Sequence, residues 1–173
     1  AVGDLDADGT LDLILGAPRA DGGGQSAGEV RVMAGPVAAT TSADAAAATL
    51  VGTAGEQAGR VVRSGQDLDG DGYDDLLVGA AYAATRGSLS GAVWLLDGPV
   101  SGAVDLDSGV LIEGVGGTDR AGISLDFAGD VDGDGTGDFL VGALGEATGG
   151  GSAGAAYLVL GPVTADVGLE LAA

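Results

Sequence analysis

Three nine-residue stretches carry aspartates in the alternating pattern that wraps a hard cation. They read DLDADGTLD from Asp4, DLDGDGYDD from Asp67 and DVDGDGTGD from Asp130. In such a loop, carboxylates at positions 1, 3 and 5 face inward and a glycine at position 6 permits a sharp turn. Position 7 offers its backbone carbonyl and position 9 adds a carboxylate. The pattern therefore predicts three sites made of oxygen ligands.

Each predicted site has four carboxylates and one backbone carbonyl. The predicted ligands are Asp4, Asp6, Asp8, Thr10 (carbonyl) and Asp12; Asp67, Asp69, Asp71, Tyr73 (carbonyl) and Asp75; and Asp130, Asp132, Asp134, Thr136 (carbonyl) and Asp138. All-oxygen ligation favours Ca²⁺ over Zn²⁺ or Cu²⁺, and Mg²⁺ competes weakly because it prefers to keep several waters. We predict one Ca²⁺ per loop and no other cofactor. Asp74, whose counterparts are Leu11 and Gly137, is predicted to be a solvated bystander.

The loops allow two other interpretations. An EF-hand needs a bidentate glutamate at position 12 and flanking helices, whereas position 12 here is Leu15, Val78 or Val141 and begins no helix. Asp-Gly turns that bind nothing are common. Three copies in one register, each packing mutually repelling carboxylates, favour metal binding over empty turns.

The elements around the loops repeat with them. Every recognisable segment recurs at an offset of 63 residues, including LILGAP, LLVGAA and FLVGAL after the loops and GEVRVMAGPV, GAVWLLDGPV and GAAYLVLGPV further on. The middle unit has four short Val/Leu/Ile-rich runs near 60–66, 75–80, 91–97 and 109–113, which predict strands. We therefore expect an all-β fold of tandem four-stranded antiparallel blades of a β-propeller. An antiparallel sandwich or another β-repeat array is the alternative.

The period divides the chain into units at 1–52, 53–115 and 116–173. The first unit lacks its opening strand and the third is truncated at its end, so 173 residues make about 2.75 units. Propellers typically close with about four to eight blades. We therefore expect an incomplete propeller or an open blade array. Open β edges would pair with further repeats or with copies of the same chain, forming a ring or a filament.

Composition excludes several classes of function. Acids outnumber basic residues 26 to 6, giving a formal charge of −20, so nucleic acid is a poor partner. The chain has no Cys and no His, which removes thiolate chemistry and the commonest general base. No apolar run approaches the ~18 residues of a membrane span. The absence of Lys and Asn fits a GC-rich, bacterial coding sequence.

The combined motifs resemble the FG-GAP repeat. An A-G pair, then D-x-D-G-D-G-x-x-D, then L-L-V-G-A and G-A-V follow in that order. The resemblance implies the seven-bladed propeller of integrin alpha subunits and related bacterial surface proteins, with Ca²⁺ in loops that join two antiparallel strands. The Phe-Gly of the family is Ala58–Gly59 and Ala121–Gly122 here, and Gly-Ala-Pro survives only at 16–18.

These observations predict a non-enzymatic, calcium-stabilised structural or adhesion module of an extracellular or cell-surface protein. An extracellular protein or a glycan would bind the variable loops at 18–27, 81–90 and 144–153. The first alternative is a propeller-type hydrolase or lyase acting on extracellular polysaccharide through carboxylate pairs. The second is a halophilic surface protein whose acidity serves solvation. No catalytic residue is predicted, since half of the acids lie in the three loops.

Overall fold

A computed structural model describes residues 1–39, 41–147, 149–151 and 153–170. Within these residues the fold is all-β, apart from two short 3₁₀ helices at Ala43–Ala45 and Leu106–Ser108. None of the described helices is long and apolar enough to cross a lipid bilayer. The predicted fold class is confirmed.

The strands follow one another in short segments. In chain order they are β1 (Val2–Gly3), β2 (Asp12–Ala17), β3 (Glu29–Met33), β4 (Ala48–Val51), β5 (Val61–Arg63), β6 (Leu76–Ala80), β7 (Ala92–Leu96), β8 (Gly102–Asp105), β9 (Val110–Gly114), β10 (Ala121–Gly129), β11 (Asp138–Ala143), β12 (Ala155–Val159) and β13 (Val167–Leu169). They form three sheets, here called blades. Blade 1 has the order β1-β2-β3-β4-β8, blade 2 the order β5-β6-β7-β9-β13, and blade 3 the order β10-β11-β12.

Each blade is an antiparallel meander joined by short loops, as the four apolar runs of the middle unit predict. The sequence did not predict β8 and β13. These strands pair parallel to the outer strands β4 and β9, so each unit adds a fifth strand to the preceding blade. As a result, β8 and β13, rather than β4 and β9, are the last strands of blades 1 and 2 on that side.

The core lies between the blades, in two separate apolar layers. Residues of β6 and β7 are buried along their whole length, because alternate side chains point to opposite faces of the sheet. Val78 and Trp94 pack towards blade 1, whereas Leu77 and Leu95 pack towards blade 3. Trp94 is therefore a core residue.

Glycine in the strand-ending Gly-Ala segment is required by the packing of successive blades. A Cβ at Gly16 would collide with the carbonyl oxygen of Gly59, and one at Gly79 with that of Gly122. In both cases the carbonyl belongs to the opening segment of the next blade. The Ala-Gly and Gly-Ala segments of the repeat are thus two sides of one contact.

Candidate metal centre

The three acidic loops occupy equivalent places in the three blades. They connect β1 to β2, β5 to β6 and β10 to β11, which are antiparallel pairs. Each loop therefore lies where the first strand of a blade turns back into the second strand. The variable segments after β2, β6 and β11 lie at the opposite end of the blades, because the second strand leads away from the loop.

The first aspartate of each loop is the centre around which the backbone wraps. One carboxylate oxygen of Asp4 accepts from the N–H of Gly9 at 3.0 Å, and the corresponding bonds of Asp67 and Asp130 measure 2.9 and 3.0 Å. The other oxygen accepts from residues three or four positions on. Gly9 and its counterparts have positive φ, which the turn needs and a glycine adopts without strain. Their conformation agrees with the role predicted for position 6.

The carboxylates at positions 3 and 5 each accept a hydrogen bond from the backbone N–H two residues further along the chain. Asp69 accepts from the N–H of Asp71 at 3.0 Å, and Asp71 accepts from Tyr73 at 2.9 Å. The first and third loops repeat both contacts. These bonds use one oxygen of each carboxylate, so an oxygen and its lone pairs remain on each side chain for a cation.

Three aspartates of each loop converge closely enough to share one ion. The groups whose carboxylate oxygens lie within 4.8 Å of one another are Asp4, Asp6 and Asp8; Asp67, Asp69 and Asp71; and Asp130, Asp132 and Asp138. In the third loop, Oδ1 of Asp134 accepts from both the hydroxyl and the N–H of Thr136, and Asp138 takes its place in the group. The donor chemistry of all three groups fits a hard cation such as Ca²⁺.

The position-9 aspartates are buried, and each of their carboxylate oxygens accepts one backbone N–H. Asp12 accepts from the N–H of Leu5 and of Gly35, both at 2.9 Å. Asp75 and Asp138 repeat this pair of bonds to their own loop and to the glycine of the Gly-Pro-Val segment. Each aspartate therefore ties the acidic loop to the segment that leaves the third strand. Their predicted second role as metal ligands stays a prediction.

The charges of the middle loop influence one another. Burial, together with the negative charges of Asp69 and Asp97, raises the pKa of Asp75 to about 6, although N–H donors oppose the shift. Burial and the charges of Asp69 and Asp71 also raise the pKa of Asp97. In contrast, backbone N–H donors outweigh burial at Asp67 and lower its pKa. A bound cation would relieve the repulsion that these shifts reveal.

Two residues near the middle loop were missed or misjudged from sequence. Asp97 lies 22 residues after Asp75 and its counterparts are Ala34 and Leu160, so no repeated motif marks it. Asp74 is not a solvated bystander: its Oδ2 accepts from the N–H of Asp4 at 2.7 Å, and its own N–H donates to the carbonyl of Asp4 at 3.2 Å. This reciprocal pair joins the loops of blades 1 and 2.

The variable loops at the other end carry aromatic and cationic groups. The guanidinium groups of Arg60 and Arg120 lie 5.6 and 5.8 Å from the ring centroid of Tyr82. This contact bridges the start of blade 2, the 81–90 loop and the start of blade 3. In the 144–153 loop, Thr148 and Ser152 lie outside the described residues, and its predicted partner role stays a prediction.

Comparison with known proteins gives results consistent with this geometry. The FG-GAP repeat model matches residues 1–33 and 58–96. Integrin alpha-PS2 of Drosophila melanogaster is 31% identical over 150 residues, which are 82% of this chain and 10% of that protein. Integrin alpha pat-2 of Caenorhabditis elegans is 39% identical over 89 residues, or 49% of this chain and 7% of that protein. The chain thus spans a tenth or less of the length of these relatives. With its repeated blades, its loop geometry and these matches, the chain belongs to the FG-GAP repeat family.

Proposed function

We propose that this chain is a non-enzymatic calcium-binding structural module of an extracellular adhesion protein of bacterial origin. The observation that carries the proposal is the threefold recurrence of one wrapped loop, with three carboxylates converging in each. The fifteen ligands named from sequence, and the unit boundaries at 52/53 and 115/116, are part of this proposal. The similarity to two integrin alpha subunits supports an adhesive role, because those proteins contain repeats of the same family.

Calcium would act here by neutralising charge and stiffening each hairpin. Three bound ions would reduce the formal charge from −20 to −14, which lowers repulsion in the folded state. Extracellular modules bind Ca²⁺ with dissociation constants of about 10⁻⁴–10⁻³ M, so millimolar calcium outside cells would occupy such sites. The stiffened blades would then present the variable loops to a protein or glycan ligand and pack against further repeats or copies of the chain.

Thermal unfolding with and without calcium tests this function. A ligand that binds only the folded state stabilises it by about 2.7 kcal/mol per site at a hundredfold excess over its dissociation constant. We expect the melting temperature to rise clearly in Ca²⁺, to fall on adding EDTA, and to change much less in equimolar Mg²⁺. An unchanged melting temperature after chelation would refute calcium binding.

A matched pair of variants locates the effect in the loops. Asp69→Asn removes one converging carboxylate, whereas Asp107→Asn removes an equal charge from an exposed residue outside the loops. We expect Asp69→Asn to reduce the calcium-induced rise and Asp107→Asn to leave it intact. Equal losses in both variants would indicate a general charge effect, as in a halophilic protein.

A further inference from the structure

Asp74 connects the acidic loops of blades 1 and 2 by holding both backbone groups of Asp4. Oδ2 of Asp74 accepts from the N–H of Asp4 at 2.7 Å, and the N–H of Asp74 donates to the carbonyl of Asp4 at 3.2 Å. Asp4 in turn is the central acceptor of the first loop, which binds the N–H groups of Asp8 and Gly9. A displacement of Asp74 would therefore be transmitted directly to the residue around which the first loop wraps.

The place of Asp74 in its own loop makes it sensitive to a cation bound there. It lies between Tyr73, whose carbonyl is a predicted ligand, and Asp75, which accepts from the N–H of Gly98. The N–H of Tyr73 donates to Asp71 at 2.9 Å, and Asp71 belongs to the converging group of the second loop. A cation that orders these neighbours would also restrict Asp74, so that less ordering remains to be done when the first loop binds.

The loops of blades 2 and 3 lack this connection within the described part of the chain. At the 63-residue offset, the counterpart of Asp74 is Gly137 and that of Asp4 is Asp67. Gly137 has no carboxylate, and none of its described hydrogen bonds reaches Asp67. A Cβ at Gly137 would meet the side chains of Gln66 and Leu68, which occupy the space beside it. The chain therefore contains one connected and one unconnected pair of neighbouring loops.

We propose that Asp74 is a positioning residue that couples the first and second cation sites, so that each binds its cation more tightly when the other is filled. The second and third sites have no such coupling. This inference rests on the proposed function, because it takes the loops as calcium sites and adds how two of them act on each other. Coupling between two sites is reciprocal, and we expect about fivefold in affinity, at the lower end of measured couplings.

The unconnected pair of loops provides the reference for the connected pair. Cations in neighbouring loops also act on each other through their charges. This contribution is common to both pairs, because the loops occupy equivalent places in successive blades. The difference between the two pairs therefore isolates the contribution of Asp74.

Terbium luminescence reports on the second site alone, because Tyr73 is the only aromatic residue in the three loop sequences. Tb³⁺ is a hard cation that takes the same oxygen ligands as Ca²⁺, and a tyrosine beside the bound ion transfers its excitation to it. Asp6→Asn disables the first site, and Asp132→Asn removes the equivalent carboxylate of the third. We expect Asp6→Asn to weaken Tb³⁺ binding at the second site by about fivefold and Asp132→Asn to change it far less.

Substitution of Asp74 completes the cycle of variants. Asp74→Ala removes the acceptor, whereas Asp74→Asn keeps a side-chain oxygen that accepts from the N–H of Asp4 but carries no charge. With Asp74→Ala, the effects of Asp6→Asn and Asp132→Asn on the second site should become equal, and with Asp74→Asn they should stay different. Loss of the difference in both variants would show that the coupling depends on charge and would refute the positioning role.

Amide hydrogen exchange in EDTA tests the connection without any cation. The N–H of Asp4 donates to Asp74, so Asp74→Ala should speed its exchange by at least about tenfold, whereas Asp74→Asn should preserve most of the protection. The exchange of amides in β6 and β7, which are buried along their length, confirms that each variant is folded. Unchanged exchange at Asp4 in folded Asp74→Ala would contradict the contact between the loops.

The same titrations separate failure of the coupling from failure of the cation site. Equal effects of Asp6→Asn and Asp132→Asn in the original chain would overturn the coupling and leave calcium binding intact. Absence of terbium emission, or emission that Asp69→Asn does not weaken, would refute the second cation site itself. Tyr73→Phe must abolish the signal, which shows that the emission comes from the second loop and not from another aromatic residue.

Discussion

Asp12→Ala separates the structural task of the position-9 aspartate from metal binding. The substitution removes both acceptors of two backbone N–H groups, those of Leu5 and Gly35. Leu5 is buried in the layer between blades 1 and 2, so water has no access to its N–H in the native structure. The loop would lose its connection to the end of the third strand even in the absence of a cation.

The expected cost follows from the burial of these two groups. A buried donor left without a partner costs about 1–3 kcal/mol. The N–H of Leu5 bears this cost in full, whereas the partly buried Gly35 can be solvated and costs less, so we expect about 2–4 kcal/mol in total. For a chain of this size, 1 kcal/mol corresponds to roughly 2–4 °C. We therefore expect the melting temperature to fall by about 5–10 °C in EDTA.

The assay is thermal unfolding in EDTA, followed by circular dichroism and by the fluorescence of Trp94. This single tryptophan is buried between blades 1 and 2 and therefore reports on the interface next to the first loop. Asp6→Ala in the same loop is the comparison, because its exposed carboxylate joins the converging group but accepts only from Asp8. It should cost little in EDTA and reduce the gain from calcium. Equal destabilisation by the two variants in EDTA, or none by Asp12→Ala, would refute the distinction.

Three further predictions concern single residues. Ala7 has a φ of 54°, and its counterparts in the other two loops are Gly70 and Gly133. Left-handed backbone strains alanine but not glycine, so Ala7→Gly should stabilise the chain by about 0.5–1 kcal/mol in urea unfolding. Asp74→Ala should weaken the first calcium site by about 1 kcal/mol in calorimetric titration, because Asp4 loses an acceptor. Burial, with smaller contributions from the charges of Asp107 and Asp105, raises the pKa of Glu56, so the ionised form opposes folding. Glu56→Gln should therefore stabilise at pH 7, with a gain that shrinks as pH falls towards 4; a gain independent of pH would contradict this sign.

The repeat and the loop chemistry were accessible from sequence because each is local. The loop ligands lie within nine residues, and the apolar runs of β6 and β7 mark strands buried on both faces. Three copies at one offset turned weak signals into a consistent pattern. The prediction of blades with acidic loops between their first two strands is confirmed on this basis.

The features that were missed depend on contacts between units. Strand β8 is short and mostly exposed, and it pairs with β4 of the preceding unit, about fifty residues earlier in the chain. Asp74 reaches Asp4 across 70 residues, and only the second loop has an aspartate at that position. A pattern that is specific to one unit has no repeated counterpart, so alignment of the units cannot reveal it.

The aspartates of each loop differ in what they bind. One kind mainly accepts backbone hydrogen bonds, and the other mainly forms the candidate cation site. The position-9 carboxylate holds the hairpin to the Gly-Pro-Val segment through bonds that exist without metal, as at Asp138. The carboxylates at positions 1, 3 and 5 converge in the first two loops, and those at positions 1, 3 and 9 converge in the third, so a cation bound there would neutralise neighbouring like charges. Under the proposed function, we expect the position-9 bonds to hold the hairpins together without calcium and bound calcium to add further stability at the acidic ends of the blades. Because Asp74 joins the first loop to the second, a cation in one blade would also restrict its neighbour.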